Sequence, residues 1–342
     1  LSERKYYMSG HTAQGLKSFS ESNLQDIENV FTLNHPSTSL KTEIFKQIIS
    51  DFDDTCDIET IKSIHGNEFI DGVIIRDKSL AVISEQLSKS EDISEVDLKN
   101  NTDLDELEEQ FAKQQSLTNA AYEDFVTGLK VHDDLEEIYI NEMDFTKADE
   151  VTAGFIGKLV TSTSKSGGEG YIYHRLFGTN TKDGVVNVVS ELIESVSKTY
   201  FIKGRAGTGK STFMKKIANA CTDQGFDVEM YHCSFDSNSI DMVLVRELDF
   251  CIFDSTDPHE FFPERENDEI IDLYEELVTP GTDEKYATEI DKLNNEYKSY
   301  MKKGIEHLKE AGFYQSQLEE KFKSVDEADV NEVIDYIFNQ IK

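Results

Sequence analysis

The stretch Phe201-Ile-Lys-Gly-Arg-Ala-Gly-Thr-Gly-Lys-Ser-Thr-Phe-Met-Lys-Lys-Ile-Ala218 decides the fold. An apolar run, Tyr200 to Lys203, reads as a short strand, and Phe213, Met214, Ile217 and Ala218 recur at helical spacing. Between them Gly204-Arg205-Ala206-Gly207-Thr208-Gly209-Lys210-Ser211 fits the phosphate-binding pattern of two glycines with four residues between them, followed by Lys and Ser or Thr. Glycines let the backbone curl so that successive N–H groups converge on one anion, and a helix starting near Lys210 adds the positive end of its dipole. The pattern therefore predicts that Gly204 to Thr212 hold a nucleoside triphosphate, ATP with Mg²⁺. Lys210 reaches the β- and γ-phosphates, Ser211 supplies a hydroxyl to the metal, and Thr212 touches the α-phosphate. A glycine-rich turn beside a surface lysine is the plain structural alternative.

Such a site needs a carboxylate at the end of a neighbouring strand to hold the metal's water shell. Phe250-Cys-Ile-Phe-Asp254 supplies one, so Asp254 joins Ser211 as an expected metal ligand and Lys210 as an expected catalytic residue. An Asp after a strand also forms turns.

The chain repeats itself. Laid on its second half, the first half places Thr12 on Thr181, Gly15 on Gly184, Lys41 on Lys210, Lys46 on Lys215 and Ile48 on Ile217. After one added residue Asp57 meets Asp227, Glu59 meets Glu229, Asp71 meets Asp241, Val73 meets Val243 and Arg76 meets Arg246. Each half then reads as an apolar helix (residues 16–30 and 185–197), a strand (31–33 and 200–203), a loop and a second helix. Further strands are expected at 228–233 and 250–253, with an apolar segment around 242–245 between them. Strand and helix in alternation imply a parallel sheet flanked by helices. The expected architecture is an α/β tandem duplication of a P-loop domain, each half followed by an acidic helical hairpin projecting from the sheet. The boundaries are 1–162, a Ser/Thr/Gly-rich linker at 163–170, and 171–342.

At the loop positions the first half reads His35-Pro-Ser-Thr-Ser-Leu-Lys41-Thr42. Lysine and hydroxyl remain, the glycines are gone, Pro36 deletes an N–H donor, and Ser84 stands where Asp254 stands in the second half. This loop is expected to be degenerate, with Lys41 a solvated surface lysine.

The 68 acidic residues against 34 basic ones leave a formal charge of −34. That field repels phosphate backbones and anionic lipid, which argues against nucleic acid or a membrane surface as partner. The four cysteines show no metal-type spacing and read as buried thiols. No apolar run reaches the ~18 residues of a membrane span and no signal-peptide core opens the chain, so a cytoplasmic protein is expected.

The chain resembles a bacterial family of tandem P-loop ATPase-like proteins over nearly its full length. Gly10-His-Thr-Ala-Gln-Gly15, the stretch 201–218, Tyr231-His-Cys-Ser234, Asp254-Ser-Thr-Asp-Pro-His259 and Met143-Asp-Phe145 carry the resemblance. It implies the fold and ATP binding, and no particular substrate. The first loop departs from it, so two working sites are not implied.

Motor-type ATPases place Glu directly after the strand-end Asp; here Ser255 follows Asp254, and about forty residues separate Lys210 from Asp254. Both point toward the kinase and GTPase branch. Asp236, Asp257, His259 and Glu260 are candidate auxiliaries, each equally a turn residue, whereas His232 lies in a strand and reads as a core histidine. Three functions stay open: an ATP hydrolase, a small-molecule or nucleotide kinase, and a non-catalytic ATP-gated protein whose acidic hairpins bind a partner. A kinase needs a basic acceptor patch, for which Arg175, Arg205, Arg246 and Arg265 are available; Arg76 matches Arg246, which favours a structural role there.

Overall fold

The computed structural model describes residues 2–88, 94–99, 102–160, 165, 167–322 and 327–341. Of the expected linker, residues 163, 164 and 166 lie outside them. The chain folds into β1 (Glu3–Tyr7), β2 (Ser9–Thr12), β3 (Gly15–Ser18), α1 (Ser20–Leu24), β4 (Asn29–Asn34), α2 (Thr38–Phe52), β5 (Ile58–Lys62), β6 (Ile70–Ile75), β7 (Leu80–Ser84), β8 (Ser94–Asp97), α3 (Glu108–Ile140) and α4 (Phe145–Leu159). It continues through β9 (Ile172–Leu176), β10 (Gly178–Thr181), β11 (Gly184–Asn187), α5 (Val189–Glu194), β12 (Lys198–Lys203), α6 (Lys210–Asp223), β13 (Val228–His232), β14 (Ile240–Val245), β15 (Phe250–Asp254), β16 (Glu269–Asp272), α7 (Leu273–Leu277), α8 (Thr282–Lys285), α9 (Ala287–Lys321) and α10 (Glu327–Gln340). It is a mixed α/β protein built on mostly parallel sheet flanked by helices.

Packing divides the chain into two compact units that interleave in sequence. Unit 1 comprises Leu1–Tyr122, Gly178–Asn187 and Gly304–Lys342; unit 2 comprises Glu123–Phe177 and Val188–Lys303. The long helices α3 and α9 thus each begin in one unit and end in the other.

In unit 1 the strands run β1-β5-β6-β7-β4-β8, and in unit 2 they run β9-β13-β14-β15-β12-β16. The order is the same, with a middle strand, β6 or β14, antiparallel to both neighbours. This corrects the all-parallel expectation: the apolar segment at 242–245 is itself a strand. The strand ahead of the glycine loop, β12, pairs in parallel directly with β15, Ile202 opposite Asp254.

The expected helices at 16–30 and 185–197 are not formed as read. Each begins with a two-residue hairpin, β2–β3 or β10–β11, and helix occupies only α1 or α5. Gly15 and Gly184 explain it: both adopt positive φ, 82° and 95°, the geometry a tight hairpin turn demands and a helix forbids.

In unit 2, α6 presents Phe213, Met214, Ile217, Ala218 and Cys221 to the sheet, and α4 packs over them, with the Phe155 ring 5.3 Å from that of Phe213. Burying each large side chain contributes about 1.5–3 kcal/mol. The segment 145–159 therefore belongs to this core and does not project. In unit 1, Leu40, Ile44, Phe45 and Ile48 of α2 make the matching layer, covered by Ile334 and Ile337 of α10. Among the described residues no helix is long and apolar enough to cross a membrane.

Candidate functional site

In unit 2 the chain leaves β12 at Lys203, curls through residues 204–209 and enters α6 at Lys210. Gly207 and Gly209 hold φ of 73° and 81°, a backbone that side-chain-bearing residues resist. At Gly204 an added Cβ would meet Thr208 Oγ1 at 2.6 Å, and at Gly207 it would meet the Glu136 carbonyl oxygen at 2.7 Å. The loop is thus tightly wound and lies against α3. Thr208 holds the curl by accepting from Arg205 N–H and donating to Arg205 C=O. Among the described residues the N–H groups of Gly207 and Gly209 have no protein acceptor.

Lys210 Nζ donates to Arg205 C=O at 2.7 Å and stands 3.6 Å from Asp254 Oδ2. The adjacency of β12 and β15 makes this meeting, since it brings the Asp254 end of one strand beside the loop end of the other. Thr256 Oγ1 donates to Asp254 Oδ1 at 2.6 Å and fixes the carboxylate. Ser211 Oγ accepts the Ile240 N–H at 2.9 Å, tying α6 to β14. The Arg205 side chain donates from Nη1 to Gly204 C=O at 3.1 Å, pairs with Asp283 at 2.9 Å and lies over the Tyr274 ring at 4.4 Å. Thr212 is exposed within the first turn of α6.

The auxiliary candidates separate. His259 lies close by: its Nδ1 is 2.8 Å from Asp254 C=O and its Nε2 is 3.4 Å from Asp241. Burial lowers its pKa, but Asp241 and Asp254 outweigh that and hold it at about 8. Asp236 caps a turn, accepting from Asn238 N–H and Ser239 Oγ. Asp257 pairs with Lys298, and Glu260 with Lys203. His232, half-buried, bonds His174 and the Ser237 carbonyl. The arginines considered for an acceptor are engaged too: Arg175 and Arg246 with Glu229, Arg265 with Asp268.

Unit 1 has the same frame with different contents. The turn ahead of α2 is capped by Ser37, whose Oγ accepts Leu40 N–H. Into it reaches Glu319 of α9. Its carboxylate accepts from Thr38 N–H at 2.6 Å, Ser39 N–H at 3.2 Å and Ser37 Oγ at 2.8 Å. Gln315, one turn earlier on α9, donates to the same carboxylate at 2.9 Å. Thr38 and Ser39 align with Gly207 and Thr208, so a side chain sits where the second loop would hold an anion. Lys41 is not the surface lysine expected from sequence: it is buried and pairs with Glu85 at 2.7 Å. Glu85 aligns with Ser255, so the second lysine lacks that carboxylate and stands 3.6 Å from Asp254 instead. Thr42 Oγ1 accepts the Ile70 N–H at 3.0 Å, as Ser211 does from Ile240, so that tie belongs to the frame.

Sequence reading missed the helical carboxylates. Leu318-Glu319-Glu320 of α9 answers to Leu135-Glu136-Glu137 of α3, with Leu135 and Tyr139 buried as Leu318 and Phe322 are. This repeated Leu-Glu-Glu was the available signal. Glu136 is half-buried over the unit 2 loop, 3.6 Å from His132. Burial, Asp133 and Asp236 raise its pKa against the pull of Lys210. His132, lowered by burial and by Lys210, also lies in the fields of Asp236 and Asp254. Together with Asp133 the two form a cluster of metal-ligand type. No protein-family model, curated protein or solved structure matches the chain.

Proposed function

We propose that unit 2 binds ATP with magnesium at Gly204–Thr212 and cleaves its terminal phosphoryl group, making the chain a P-loop nucleoside-triphosphatase of the tandem ATPase-like kind its sequence resembles. On this reading the two units are copies of one P-loop domain, and only the second retains the site. The observation that carries it is the meeting of unbonded loop N–H groups, the Lys210 ammonium and the Asp254 carboxylate at the ends of two adjacent parallel strands.

Triphosphate oxygens would take the N–H groups of Gly207 and Gly209 and the charge of Lys210. Magnesium suits the same place: Ser211 Oγ keeps a lone pair after accepting Ile240 N–H, and the Asp254 carboxylate stands beside Lys210. When bound, the metal would neutralise charge on the phosphate oxygens. Transfer to water is favoured over transfer to an anionic acceptor, because carboxylates already hold the four arginines such an acceptor would need.

Calorimetric titration of the chain with ATP across a magnesium series tests the reading. One site per chain is expected, with Asp254→Asn losing magnesium-dependent turnover by more than its loss of affinity. No binding, or two equivalent sites, would overturn it.

A further inference from the structure

We propose that Glu136, carried on α3, is the general base for the water that attacks the γ-phosphate bound by unit 2. The proposal rests on the nucleotide reading above and supplies what that site otherwise lacks. Ser255 follows Asp254, so the strand end offers no second carboxylate to orient water.

Two independent observations place the group. The first is contact: a Cβ built on Gly207 would lie 2.7 Å from Glu136 O, 3.0 Å from its Cα and 3.1 Å from its Cβ. The side chain therefore starts within a few ångströms of the N–H groups that would hold phosphate, and Lys210 acts on its titration. The second is the internal copy. Glu319, at the same position of the repeated Leu-Glu-Glu, reaches the loop of unit 1 and accepts its N–H groups directly. In unit 1 nothing intervenes between carboxylate and loop. With a triphosphate on the corresponding N–H groups of unit 2, the carboxylate meets the outermost phosphate instead of the backbone.

One turn earlier, Gln315 donates to Glu319 at 2.9 Å, and at the matching position His132 Nδ1 stands 3.6 Å from Glu136 Oε1. In the step itself the water oxygen bonds to the γ-phosphorus while the bond from that phosphorus to the β,γ-bridging oxygen breaks. The water proton passes to the Glu136 carboxylate and then to solvent. The diphosphate leaves with the electron pair of the broken bond, beside inorganic phosphate.

The test measures ATP affinity and single-turnover hydrolysis for the full chain, Glu136→Gln, and Glu137→Gln, which alters the exposed neighbour. Loss of a positioned base costs roughly a hundredfold or more. E136Q is expected to lose that much hydrolysis while its dissociation constant stays within about threefold of the parent, a split that lost packing would not give; E137Q is expected to match the parent. If E136Q unfolds, Glu136→Asp, which keeps the charge and shortens its reach, must show the same split. Unchanged hydrolysis in E136Q, a parallel loss of affinity, or tighter binding with faster turnover would each overturn the proposal, the last showing a gate. A parent chain that binds no ATP overturns the nucleotide reading itself, a result distinguishable because it appears before any substitution.

Discussion

Ahead of α6 the turn keeps its glycines, leaves N–H groups unbonded and holds a lysine 3.6 Å from the nearest carboxylate; ahead of α2 the same turn hands its N–H groups to Glu319 and its lysine to Glu85. Both loops sit on the same strand order and share the same hydroxyl tie, Ser211 to Ile240 or Thr42 to Ile70. The difference lies in who supplies the anion. A buried helix start with a buried lysine needs negative charge, and unit 1 meets that need with its own side chains. Where unit 2 has glycines, unit 1 has two carboxylates that fill the turn and make it an internal joint.

Removing each lysine breaks that comparison most sharply. Lys210→Ala is expected to abolish triphosphate turnover, at least a hundredfold, because an electrostatic contact to the transferring phosphate is worth several kcal/mol. Lys41→Ala should leave turnover unchanged and lower the unfolding free energy by on the order of 2 kcal/mol, less than a fully buried pair because Glu85 keeps some solvent. Parallel kinetics and denaturant titrations separate the two. Equal kinetic defects would show that the first loop works.

Glu319→Ala sharpens it further. Four donors lose a charged acceptor, and since hydrogen bonds to charged groups are worth about 1.5–3 kcal/mol each before water compensates, a net loss of about 2–3 kcal/mol is expected. ATP stoichiometry should remain one, since Leu40 and Pro36 still deny phosphate its approach. A second site emerging in that variant would mean that Glu319 alone had closed the loop.

The turn ahead of α6 and the strand-end place of Asp254 were legible in sequence because both are local: the glycines run straight into Lys210 and Ser211, and Asp254 ends an apolar strand. Unit 1 was legible only as a loss. The absent glycines were plain, but Glu319 is brought in by a helix that starts in the other unit, and no local pattern encodes that arrival. Lys41 was misread for the same reason, since a lysine's burial depends on a partner carboxylate that lies on another strand's end. The stretches from Leu16 and Val185 were misread as helix because the four-residue strands, Gly-Leu-Lys-Ser and Gly-Val-Val-Asn, are too short to show a strand's alternation against the neighbouring helix formers. Gly15 and Gly184 held the contrary signal.

The last contrast expected is in pH response, where the units should diverge. Burial, aided by His65, holds His11 of unit 1 at about 3, with Tyr122 hydroxyl 2.7 Å from its ring. The unfolded chain takes up this proton below pH 6.5 and the folded one does not, so stability of unit 1 falls from 6.5 toward 3, by at most about 1.4 kcal/mol per pH unit. His259 of unit 2 has the opposite sign: raised to about 8, it contributes stability that is complete below 6.5 and lost as pH rises through 8. Exchange protection factors of β2 and β15 measured from pH 5 to 9 should fall at opposite ends, and a common profile would refute the assignment.

The interleaving of α3 and α9 also orders events in time. Unit 1 closes its sheet with residues made early, yet Gln315, Glu319 and the α10 residues that cover its core are synthesised after everything else in it. Until they emerge from the ribosome, the turn ahead of α2 offers N–H groups with no Glu319 to receive them. At about 5–20 residues per second the nascent first domain spends roughly ten seconds or more in that open form. Its anion-seeking turn is closed only from within, and only late.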